Sequence, residues 1–172
     1  ADCVYLDNEE AIRKLISKTP KTYKKYYYVG WDRMEIANIQ KRESAFRGLC
    51  PEGSVLHIPW RRDRKIAQND LQTIEKHLAE PEESIIVCGA GEIGQQIAGY
   101  LYEKRKLSVQ LAVIDEFDGS DNYHVSVYEQ NLTEIAEVIY EQMYRQTCEG
   151  KNWCPKLSTV KGNYIIKNEK GE

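Results

Sequence analysis

The run Ser84-Ile85-Ile86-Val87-Cys88-Gly89-Ala90-Gly91-Glu92-Ile93-Gly94 constrains this chain more than any other stretch. A short apolar segment stops at Gly89, Gly91 and Gly94 follow, and Gln95 to Lys106 then reads as a helix. That is a strand, a glycine turn and a helix start. Gly89 can take a tight turn that a Cβ would oppose, and Gly91 lets backbone approach a ligand closely. Gly94 lets the helix pack near the strand, while the free N–H groups and dipole at the helix start suit an anion.

The context strengthens the pattern. Val109 to Ile114 is a second strand candidate, ending in Asp115-Glu116. Asp115 lies 21 residues past Gly94, about where an acidic side chain meets a ribose hydroxyl in a dinucleotide fold. Ala98 is small where the helix should cross the strands. Together these predict a Rossmann-like βαβ unit holding a nucleotide at Gly89, Gly91, Glu92, Gly94 and Asp115. Glycine turns also serve plain strand–helix packing, so the unit alone does not name a ligand.

The same alternation runs through the rest of the chain. Asp7 or Asn8 is placed to cap a helix carrying Ala11, Ile12, Leu15 and Ile16, which Thr19-Pro20 ends. Tyr26 to Val29 reads as a strand, 33–47 as a helix, Val55 to Ile58 as a strand, and Asn69 to Ala79 as a helix. The order predicts an α/β fold with a doubly wound, mostly parallel, Rossmann-like sheet and helices on both faces. His124 to Tyr128 alternates like an edge strand, and Asn131 to Thr147 is a clear helix. Residues 1–150 are expected to form one domain, with 151–172 as a C-terminal tail or a hairpin around Val160 to Ile166.

Composition narrows the class. The 172 residues are 41% apolar and 30% charged, which fits a globular domain rather than a disordered chain. No run of 18 apolar residues offers a membrane span, and the start at Ala1 shows no signal-peptide pattern. The expectation is therefore a cytoplasmic protein. The start without Met leaves room for a larger parent chain, and a homo-oligomer is compatible with everything above.

Charge is distributed unevenly. Residues 1–66 carry 14 Lys/Arg against 9 Asp/Glu, and residues 67–172 carry 10 against 18. The basic half also holds Tyr23, Tyr26, Tyr27, Tyr28, Trp31 and Trp60. Basic and aromatic groups together can bind nucleic acid, although a solvated helix and a buried tyrosine strand explain them more simply. Arg61, Arg62 and Arg64, with Lys65, form the densest polar cluster, and their guanidinium forks suit phosphate oxygens. Trp31-Asp32-Arg33 is a further strand-end candidate.

Few residues qualify for chemistry. His57 stands near a strand end and is a weak candidate for a general base. His77 and His124 offer less, no two histidines share metal-ligand spacing, and Asp115, Glu116 and Asp118, which could hold a ribose or a cation, also suit a solvated turn. Cys88 should act as a small buried hydrophobe. Cys148 and Cys154 could close a small loop, but five cysteines without a secretory signal favour a reducing compartment.

Residues 84–130 also resemble a recurrent Rossmann-like domain of bacterial polysaccharide-biosynthesis proteins. The likeness rests on Ile85 to Gly94, on Ile114-Asp115-Glu116, and on Val125-Ser126-Val127-Tyr128 before a helix. It implies a nucleotide, nucleotide-sugar or NAD(P) ligand above the strand ends, and a transferase or accessory role in surface-glycan biosynthesis. A fainter resemblance to glycan-building glycosyltransferases would put the Trp60 to Lys65 loop near a diphosphate. The alternatives are an NAD(P)-dependent oxidoreductase, a non-enzymatic nucleotide sensor, and a nucleic-acid-binding module built on the basic, aromatic half.

Overall fold

The computed structural model describes residues 3–19, 22–78, 80–105 and 108–167. Its elements in order are β1 (Cys3–Leu6), α1 (Asn8–Ser17), β2 (Lys25–Trp31), α2 (Ala37–Leu49), β3 (Ser54–Ile58), α3 (Gln68–His77) and β4 (Ser84–Cys88). Next come α4 (Gly91–Glu103), β5 (Gln110–Ile114), β6 (Val125–Glu129), α5 (Leu132–Glu149), β7 (Leu157–Val160) and β8 (Asn163–Lys167). The expected helix breaker Pro20 and the expected helix ends Ala79 and Lys106 lie outside the described residues.

Six strands form the main sheet in the order β3-β2-β4-β5-β6-β8. The first five are parallel and β8 is antiparallel to β6. The chain winds outward from β2 to β3, then returns to β4 and proceeds the other way. The order therefore reverses between β2 and β4, where such folds open a crevice at the carboxyl ends of the strands. The doubly wound, mostly parallel α/β architecture is as the sequence predicts.

Both faces of the sheet are buried, which is why its strands read as continuous apolar runs. On one face Ile86, Cys88, Val113 and Val127 pack with Ile74 of α3 and with Ile97 and Leu101 of α4. On the other, Ile85, Val87, Ala112 and Ile114 pack with Ile12 and Leu15 of α1 and Phe46 of α2. The Asp7 carboxylate caps α1 by accepting from the Glu10 N–H at 3.0 Å. Burial pushes the Cys88 thiol up to about 12, so it acts as an inert apolar group. No disulfide links the five cysteines.

Two expectations are corrected. Val125–Glu129 is not an edge strand, because β8 covers its outer side. The misleading alternation comes from Ser126, a buried polar residue whose hydroxyl is met by Gln110 and Tyr164. The tail does not form a hairpin either. Its strand β7 pairs in parallel with β1 as a separate two-stranded sheet, whereas β8 joins β6. Helix α5 lies against that small sheet and buries only Gln142, leaving Leu132, Tyr140, Met143 and Tyr144 exposed.

Candidate functional site

A cavity of about 240 Å³ opens at the order reversal, over the carboxyl ends of β2, β4 and β5. Its polar centre is Arg42, which the weakly amphipathic helix α2 delivers from one side. Arg42 is 8% exposed, so its charge must be met within the protein. Its Nε donates to Asn8 Oδ1 at 3.1 Å, and its Nη1 donates to the Gly89 carbonyl at 2.7 Å and to Asp115 Oδ2 at 3.0 Å. Gln130, just past β6, donates to the other Asp115 oxygen at 2.6 Å. Asp115 sits in the left-handed region with φ of +73°, a conformation that costs free energy outside glycine. The Arg42 and Gln130 contacts hold it there.

Two indoles flank this set. Trp31, the last residue of β2, is 4% exposed and donates its ring N–H to Glu92 Oε1 at 3.3 Å. Trp60 follows β3 at the rim, where its backbone N–H donates to Asp32 Oδ1 at 2.7 Å and Arg33 stacks 4.8 Å from its ring. The loop beyond Trp60 is clamped by Gln96 of α4, which accepts from the Ile66 N–H and donates to the Arg64 carbonyl. That clamp holds Arg64 at φ of +54°, with Nη1 3.6 Å from Glu92. Aromatic faces beside planar hydrogen-bonding groups suit a small ligand with an apolar face and a hydroxyl-bearing edge.

A larger groove of about 670 Å³ runs between β1 and α2. Its charged and amide groups are in part already committed: Asp7 to the α1 cap, Asn8 to Arg42, and Lys41 to the Tyr5 ring at 3.5 Å. We therefore take the smaller cavity, where a buried charge set converges, as the candidate site. No group of three or more metal-ligating side chains forms among the described residues.

The residues singled out from sequence fall in several places. Gly89, Glu92, Arg64 and Asp115 line the cavity; Gly91, Gly94, Arg61 and Arg62 are not among its lining residues. The glycines each answer a local crowding. A Cβ on Gly89 would collide with the Tyr28 hydroxyl, one on Gly91 would lie 2.6 Å from the Glu116 carbonyl, and one on Gly94 would lie 2.6 Å from a Val113 methyl. His57 Nε2 instead hydrogen-bonds Glu43 Oε2 of α2 at 2.8 Å, outside the cavity. Sequence reasoning missed Arg42, Asn8, Gln130 and Tyr28. Nothing in the helical stretch around Arg42 distinguishes it from a solvated arginine.

The basic half is neutralised largely by its own fold. Lys24, Lys25, Arg42 and Arg64 pair with Glu83, Glu80, Asp115 and Glu92 from the acidic half. No helix among the described residues is long and apolar enough to cross a membrane.

No protein-family model matches the chain, and no curated protein matches it by sequence. Solved structures do match its fold. The xylose-binding transcription activator XylR aligns with a TM-score of 0.78 at 16% identity, over 97% of this chain and 47% of XylR. A LacI transcriptional regulator from Lactobacillus brevis aligns at 0.75 and 13% identity, over 94% and 63% of the two chains. An ABC transporter solute-binding protein from Agrobacterium vitis, with bound allitol, aligns at 0.67 and 12% identity, over 96% and 62%. This chain thus spans less than two thirds of each of these proteins. At these identities the likeness is one of fold.

That likeness overturns the resemblance drawn from residues 84–130. The neighbours are transcriptional regulators and a solute-binding protein, not polysaccharide-biosynthesis domains. The expectation of a transferase in surface-glycan biosynthesis falls with it. A strand, three glycines and an acid-tipped strand are common to many parallel sheets, and here the glycines answer crowding by Tyr28, the Glu116 carbonyl and Val113.

Proposed function

We propose that this chain forms one wall of a binding site for a small, neutral, polyhydroxylated ligand such as a sugar or polyol, and that it senses or carries that ligand without transforming it. The observation that carries this reading is the Arg42–Asp115–Gln130 set between Trp31 and Trp60 at the sheet's order reversal. Sugars offer adjacent hydroxyls to bidentate polar groups and a C–H face to an indole. Both lining carboxylates are tied to N–H donors, which suits holding a ligand more than moving a proton. The volume lies just under the ~300–1,000 Å³ of sites that take drug-sized ligands, so the ligand is small. Neighbours of like fold point the same way: one is named as xylose-binding and another holds allitol.

The test is a thermal-unfolding panel with D-xylose, D-ribose, trehalose, allitol, NAD and UDP-glucose. A ligand at ~100 times its Kd adds ~2.7 kcal/mol, which raises Tm by roughly 5–10 °C for a chain of this size. We expect a sugar or polyol to give that rise and Trp60→Ala to remove most of it. A rise with NAD or UDP-glucose alone, or with nothing, overturns the reading.

A further inference from the structure

Several buried or half-buried tyrosines in this fold have their hydroxyls spent. Tyr27 donates to the His77 carbonyl, Tyr100 to Glu75, and Tyr164 to Ser126 and the Lys18 carbonyl, while Tyr128 accepts from the Gly162 N–H. Tyr28 differs. It is 1% exposed, its ring packs 5.5 Å from Phe46, and its hydroxyl makes no hydrogen bond among the described residues. Burial also pushes that hydroxyl well above the ordinary tyrosine value, so it stays protonated and keeps a proton to donate. The hydroxyl is not sealed in the core: Tyr28 lines the cavity, where its oxygen can meet a ligand.

The chain makes room for this group deliberately. A Cβ on Gly89 would collide with the Tyr28 hydroxyl, and one on Gly30 would lie 2.7 Å from the Tyr28 ring and 3.4 Å from the hydroxyl. Gly30, Gly89 and Tyr28 all line the cavity beside Arg42 and Asp115. The phenol therefore runs beneath two strand ends and brings its oxygen to the cavity floor.

We infer that Tyr28 is a specificity-determining residue whose hydroxyl hydrogen-bonds the deepest hydroxyl of the bound sugar or polyol, a role that rests on the ligand class proposed above. Arg42 and Asp115 anchor one edge of the ligand; Tyr28 reads whether a hydroxyl is present beneath it. A deoxy ligand at that carbon would leave the phenol unpaired and bind more weakly.

Tyr28→Phe tests this, since it keeps the ring and removes one oxygen. Melting is measured without ligand and with D-xylose, D-ribose, trehalose and allitol, and affinity for whichever sugar binds is measured by calorimetry. The expected results are an unliganded Tm close to wild type and affinity weaker by about 3- to 10-fold. Monodeoxy analogues of that sugar should include one to which wild type and variant bind alike. Equal affinity for the parent sugar, a fall of several degrees in the unliganded Tm, or equal loss on every analogue overturns the role of Tyr28. A wild type that no sugar stabilises overturns the cavity reading itself, and the Tyr28 role with it.

Discussion

Asp115 and Glu43 are two carboxylates held by cations in this chain, and they serve different ends. Asp115 is strained and faces the cavity, while Glu43 is buried on α2 between Arg47 and His57, each at 2.8 Å. Burial alone would raise the Glu43 carboxyl, but hydrogen bonds from His57 and Arg47 outweigh it and leave the group below its ordinary value. A carboxyl lowered on folding stabilises the protein above the ordinary carboxylate range, and that stabilisation disappears as pH falls through the folded value. Glu43→Gln should therefore lower Tm at pH 7, and its deficit against wild type should shrink as pH drops toward 3. Melting curves at several pH values check this; a deficit unchanged with pH would mean packing, not charge, is what Glu43 supplies. His57, the weak candidate from sequence, joins β3 to α2 through this contact.

At the scale of elements, the turn between β4 and α4 shows how one glycine pattern admits two causes. Gly91 meets the Glu116 backbone, which cannot move without shifting the end of β5, whereas Gly99 in the same helix has only the Tyr123 hydroxyl at 3.7 Å. Gly91→Ala should cost about 1–3 kcal/mol through overpacking. Gly99→Ala should instead stabilise by roughly 0.5–1 kcal/mol, because alanine favours a helix interior. Chemical denaturation of both variants separates them, and equal effects would refute the crowding at Gly91. The pattern made β4, the turn and α4 legible in the sequence because close strand–helix approach demands small residues at fixed spacing. It did not reveal the ligand, since the same spacing arises whether the space is filled by a phosphate or by a carbonyl.

Over the whole molecule, protection is expected to be uneven. The strands β2, β4 and β5 are buried on both faces, while α5 buries one residue of 18 and contacts only β1, β7 and the short turn after it closely. Hydrogen exchange should open α5 well before the central strands. Protection of α5 equal to that of α4 would show that its apolar face is covered in solution.

The order of strands and helices, and the burial of the central sheet on both faces, were determined by the sequence alone. Apolar runs closed by glycine or proline carry that information locally, within a few residues of where it is used. The site was decided only by tertiary structure. Arg42 meets Asn8, Gly89 and Asp115 across separations of 34, 47 and 73 residues. That Arg42 becomes a buried cation depends on how α2 crosses the sheet and on the strand register beneath it. No local pattern encodes that, because a buried arginine and a solvated one look the same until the fold brings their partners.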